Sequence, residues 1–145
     1  MSKRIRIPKV EPEAMKPMAA LEKYMATTKI DKLHKELIKI RASQINGCTY
    51  CMDKHSKDAR SIGETEQRLY VLSHWRETDL FSEEEQAILA MTEAITLLPQ
   101  GVSDETYERA AKLFDEQYLA QLIMAIITIN AWNRIGVSTH MIPNE

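Results

Sequence analysis

In one segment after another of this chain, apolar residues return every three or four positions. No segment alternates apolar and polar residues with the period of a strand. Leu33, Leu37, Ile40 and Ile45 make one such stripe, and Leu69, Leu72 and Trp75 make another. Met15, Met18, Leu21 and Met25 make a third, which reads as core filling rather than as a surface that recruits a ligand. The pattern predicts an all-α protein. With 4 Gly and 5 Pro in 145 residues, turn formers are too few for many short strands. Helix starts are marked at Asp31, Thr65, Ser82 (with Glu85, an S-x-x-E capping box), Ser103-Asp104 and Asp115. Stops are marked at Asn46-Gly47, Gly63 and Leu98-Pro99-Gln100-Gly101. About six or seven helices are expected, with no repeat of solenoid length.

Residues 1–10 mix charged and apolar positions without period, and Pro8 interrupts them, so they read as an N-terminal arm. Residues 11–145 then form a single domain long enough to bury a core. Pro12 suits a first helical turn, whereas Pro17 is expected to kink or restart its helix. The apolar run at 122–129, LIMAIITI, is too short to span a bilayer, and MSKRIRIPKVEPEAM lacks the apolar stretch of a secretory signal. No membrane partner is expected, and the default location is cytoplasmic. A net charge of −2 with both signs interspersed offers no basic face to nucleic acid. The last helix, around LAQLIMAIITI, is apolar almost all the way round, which favours a homo-oligomer formed through it and the N-terminal segment. Asn130, Trp132, Asn133 and Arg134 near its end read as a frayed, hydrogen-bonded terminus in preference to a crevice lining.

Chemistry concentrates in residues 36–55, ELIKIRASQINGCTYCMDKH, which hold both cysteines as a C-x-x-C pair. On a helix entered near Gly47, Cys48, Cys51 and His55 share one face, being i, i+3 and i+7. If Asn46-Gly47 reverses the chain, two antiparallel helices form a hairpin and Glu36 can face His55 across the seam. A disulfide this short in sequence would stabilise less than the ~3 kcal/mol of a 15-residue loop, so redox cycling explains the pair better than stapling does. Bringing a thiol pKa from ~8.5 to about 6.5 needs roughly 2.7 kcal/mol, and a helix N-terminus supplies about 0.3–1. A proton acceptor is therefore wanted. His55 is placed for it, one turn past Cys51, with Glu36 as the group that orients the imidazole. Cys48, at the helix end, is expected nearer solvent. The thiolate could reduce a hydroperoxide through a sulfenic acid, or exchange directly with a disulfide. The bland alternative is two buried small hydrophobes. Structural zinc needs four ligands, and His34, His74 and His140 are scattered, so no metal and no cofactor are expected.

Glu36, Cys48-x-x-Cys51 and His55 together resemble the core motif of the alkylhydroperoxidase AhpD-like proteins, within the carboxymuconolactone decarboxylase superfamily. SQINGCTYC, DKHSKDAR, WRET at 75–78, FSEEEQAILAMTEAIT and INAWNR at 129–134 carry the likeness over roughly residues 30–137. The resemblance implies a compact helical fold, trimers or hexamers, and peroxide reduction with an unidentified thiol reductant. It implies that Cys51 becomes the sulfenic acid, that Cys48 resolves it and exchanges with the reductant, and that His55 and Glu36 relay protons. Where AhpD proper carries a histidine before the second cysteine, this chain has Tyr50. The decarboxylase branch lacks the cysteine pair. The activity expected is thus peroxide reduction; the alternative is a general thiol–disulfide oxidoreductase or a redox sensor.

Overall fold

The computed structural model describes residues 3–144, and the first two residues of the expected arm lie outside them. The described residues form eight α-helices, two short 3-10 segments and no strand. In order these are α1 (Ile7–Val10), a 3-10 turn Pro12–Ala14, α2 (Met15–Met25), α3 (Lys32–Asn46), α4 (Thr49–Ser61) and α5 (Glu66–Val71). A 3-10 segment Leu72–Glu77 follows, then α6 (Glu83–Leu97), α7 (Asp104–Leu113) and α8 (Glu116–Ser138).

The helix beyond the expected number is α1, a single turn. Pro8 does not break it, because it lies in the first turn, where no intrahelical N–H bond is lost. Pro17 likewise neither kinks nor restarts α2: it is the third residue of that helix, still among the unpaired N–H positions. The predicted caps form. Asp31, Thr65, Ser82, Ser103 and Asp115 each accept a backbone N–H from the first turn they precede, and Ser82 with Glu85 completes the capping box.

Helix α3 is the central element, packing against α4, α6 and α8. One face (Leu37, Ile40) joins Ala59, Leu72, Trp75, Phe81 and Leu89 in one core cluster. The opposite face (Ile38, Ala42) joins Ile88, Met91, Leu122 and Ile126 in another. The single stripe expected for α3 is therefore too narrow: Leu33 and Ile45 are half-buried, while Ile38 and Ala42 are fully buried. Leu72 and Trp75 do share a face, but through the 3-10 segment, where residues three apart eclipse. There Trp75 Nε1 donates to Glu93 Oε1 at 2.8 Å, and the same carboxylate takes Arg41 at 2.9 Å and Arg76 at 2.5 Å. One half-buried acid thus ties α3, the 3-10 segment and α6 together. Among the described residues, no helix is long and apolar enough to cross a membrane.

Candidate active site

Gly47 ends α3 in the left-handed region at φ 69°, a conformation that glycine adopts without a Cβ penalty. The chain reverses there, and Cys48, in extended geometry, becomes the N-cap of α4. Its Sγ accepts the backbone N–H of Cys51 at 3.3 Å, so this sulfur lies at the positive end of the helix. Cys48 and Cys51 are joined as a disulfide, with Cα atoms 5.3 Å apart.

A buried amide network fixes the turn from the far side. Asn46 Nδ2 donates to Asn130 Oδ1 at 2.9 Å and to Asn133 Oδ1 at 3.0 Å. Asn133 in turn donates to Ser43 Oγ at 3.0 Å, and Asn130 to Thr96 Oγ1 at 3.0 Å. Asn130 and Asn133 are not a frayed terminus, then: α8 runs on to Ser138, and both amides are buried and satisfied between α8, α6 and the α3–α4 turn. Beyond them, Gly136 lets α8 close over the disulfide. A Cβ at that position would sit 2.8 Å from Cys48 Sγ and 3.6 Å from Cys51 Sγ.

His55 follows Cys51 by one turn of α4. Its Nδ1 lies 3.2 Å from Glu36 Oε2 and 3.7 Å from Asp58 Oδ2. Both are ion-pair distances, but the ring N–H is not aligned for a full hydrogen bond with either carboxylate. Glu36 Oε1 also holds Lys39 Nζ at 3.2 Å. Burial pushes the Glu36 carboxyl up, yet the His55 contact and the Lys39 charge outweigh it and hold the group below the ordinary carboxylate range. Donor atoms of Glu36, His55 and Asp58 lie within 4.8 Å of one another. Ammonium groups already answer both carboxylates, Lys39 on Glu36 and Lys54 on Asp58 at 3.0 Å.

Cys51, His55 and Tyr50 border a cavity of ≈840 Å³ whose walls are otherwise mostly apolar. Cys48 does not border it. The two cysteines are only 2% and 5% exposed, and the one with access is Cys51, the reverse of the order expected from its place on the helix. The reason is tertiary: α8, through Gly136, covers the N-cap sulfur. The four predicted residues are nonetheless brought together, with Cys48 beneath Cys51, His55 on the wall and Glu36 behind His55. Gly136 and Asp58 went unpredicted. Asp58 stands at i+3 from His55, a spacing that was there to read, and a lone glycine inside an apolar helix is a signal of close approach.

A sequence model of the carboxymuconolactone decarboxylase family matches residues 12–94. YdfG of Bacillus subtilis, an uncharacterized protein, is 47% identical over 139 residues, 95% of either chain. Among solved structures, a protein of unknown function from Agrobacterium tumefaciens, linked by name to the antioxidant defence protein AhpD, superposes with a TM-score of 0.93. It is 37% identical and covers 99% of this chain and 100% of its own. The debrominase Bmp8 shares the fold at a TM-score of 0.81 with 21% identity, covering 92% of this chain and 73% of its own.

Proposed function

Because the chain belongs to the carboxymuconolactone decarboxylase family, we propose that its cysteine pair makes it a peroxide reductase of the alkylhydroperoxidase type. One observation carries the reading. Of the two bonded sulfurs, the one bordering a large cavity is one helical turn from an imidazole that a buried, ionised carboxylate backs.

With the pair reduced, His55 takes the Cys51 proton and the thiolate attacks the distal oxygen of a hydroperoxide ROOH. The S–O bond forms as the O–O bond breaks. The leaving alkoxide collects a proton from His55 and departs as ROH. Cys48 then attacks the sulfenic sulfur, a disulfide forms, and hydroxide leaves as water after protonation. Two thiol equivalents from a reductant return the pair to its starting state. The resemblance gave the exchange with the reductant to Cys48, but Cys51 is the cysteine that borders the cavity. The reductant therefore attacks Cys51 Sγ and Cys48 leaves, its anion stabilised by about 0.3–1 kcal/mol from the helix N-terminus. Glu36 orients His55 and stays negative.

The test uses dithiothreitol-driven consumption of cumene hydroperoxide. Cys51→Ser should abolish turnover, and Cys48→Ser, reduced and then freed of dithiothreitol, should consume one equivalent and keep a sulfenic acid that dimedone captures on Cys51. Wild-type consumption by Cys51→Ser would overturn the assignment. Disulfide exchange without peroxide consumption in the wild type would leave a thiol–disulfide oxidoreductase instead.

A further inference from the structure

The cavity over Cys51 is apolar along Met15, Met25, Ile129 and Trp132, yet five cationic side chains line it against two carboxylates. The cations are Arg6, Lys9, Lys35, Lys39 and Lys54, and the carboxylates are Glu22 and Asp58. Asp58 is paired with Lys54 at 3.0 Å, whereas Glu22 accepts the neutral Trp132 Nε1–H at 2.8 Å and keeps its charge. Lys39 is answered by Glu36 at 3.2 Å. Lys35 is answered only at longer range, by the charges of Glu22 and Glu36. Among the described residues it makes no ion pair, and its ammonium donates only to the Met25 carbonyl oxygen, at 2.8 Å. An ammonium carries three donors, so two stay available toward the cavity it lines. Burial, and then the Lys39 charge one turn along α3, hold the Lys35 pKa below its ordinary value against the opposing pull of Glu22 and Glu36. The cavity volume, ≈840 Å³, falls within the range of about 300–1,000 Å³ for small-molecule sites. A greasy chamber lined by five cations against two carboxylates complements an amphipathic anion.

We propose that this cavity binds long-chain carboxylates, with the carboxylate at Lys35 and the chain along Met25, Ile129 and Trp132, and that the hydroperoxides reduced at Cys51 are those of fatty acids. The substrate half rests on the peroxidase reading above; the carboxylate site stands on the cavity alone. The redox step is unchanged: the fatty acid hydroperoxide leaves as the hydroxy acid, one thiol pair becomes a disulfide, and one water is released.

The experiment has two arms. In the first, palmitate is titrated into the oxidised protein below its micelle range, with Trp132 fluorescence as the readout. Binding should saturate, weaken about tenfold in Lys35→Gln, the scale of one hydrogen bond to a charged group, and persist in Lys35→Arg. In the second, the reduced protein meets linoleic acid hydroperoxide and its methyl ester. The acid should saturate the enzyme at lower concentration than the ester, and the acid-to-ester ratio, taken within each variant, should collapse toward one in Lys35→Gln. Absent palmitate binding, or binding that Lys35→Gln leaves unchanged, overturns the carboxylate site. Palmitate binding as described with neither peroxide consumed overturns the peroxidase reading and supports the site. Both peroxides consumed alike, with no palmitate bound, overturns the substrate class while peroxide reduction stands.

Discussion

Replacing Gly136 with alanine should destabilise the oxidised protein, against the ordinary expectation for a helix. Inside a helix, alanine is favoured over glycine by roughly 0.5–1 kcal/mol. At this position the new Cβ would meet Cys48 Sγ at 2.8 Å, and that sulfur cannot swing aside because it is bonded to Cys51. Overpacking of this kind costs about 1–3 kcal/mol. The net change therefore runs from about zero to about 2.5 kcal/mol of lost stability, with each kcal/mol worth about 2–4 °C in Tm for a chain near this size. The assay is urea unfolding of four proteins: wild type, Gly136→Ala, Cys48→Ala and the double variant. Removing Cys48 Sγ removes the clash, so in the Cys48→Ala background Gly136→Ala should stabilise by about 0.5–1 kcal/mol, a coupling of about 1–3 kcal/mol. If alanine stabilises both backgrounds equally, α8 does not press on the disulfide and the packing account fails.

Glu36→Gln keeps the shape of the side chain and removes the charge behind His55. Peroxide reduction should fall about tenfold, the scale of one charge-assisted contact, and the pH profile of Cys51 alkylation should move while the fold persists. Glu36, Glu85 and Glu93 are all held below the ordinary carboxylate pKa of 4.5. Their contribution to stability is fully present above that pH and is lost as pH falls through the folded-state values, so Tm should hold from pH 7 to about 5 and drop below 4.5. Glu93→Gln should lower Tm at pH 7 and flatten the acid limb; an unchanged limb would mean the Arg41–Trp75–Arg76 cluster does not hold that carboxylate ionised. Ile5, Val10, Ile127 and Val137 are 62%, 60%, 44% and 44% exposed, and the expected homo-oligomer would cover them. Sedimentation at micromolar concentration should find more than a monomer.

What was legible in the sequence was local. Caps such as Asp31 and Ser82 are read within four residues of themselves, and the positive-φ glycines Gly47 and Gly63 likewise declare their turns. The meeting of Cys51, His55 and Glu36 was legible because one helical spacing and one reversal produce it. Whatever depends on a third element was not. The burial of α3 on two faces needs both α6 and α8, and the covering of Cys48 needs Gly136. The role of Asn130 and Asn133 needs Asn46 and Ser43 across the interior, without which they look like a polar helix end. The gathering of Lys35 and Lys39 with Arg6 and Lys9 around one cavity joins segments far apart in sequence, and no periodicity within either announces it.

A single-turnover experiment on the fully reduced protein, with alcohol and thiol both counted by mass spectrometry, bears most directly on how this site works. One equivalent of hydroperoxide should yield one equivalent of alcohol and a protein lighter by two hydrogens, with the Cys48–Cys51 peptide bridged. Peroxide left intact while both thiols remain free, or thiols oxidised with no alcohol formed, would contradict the account.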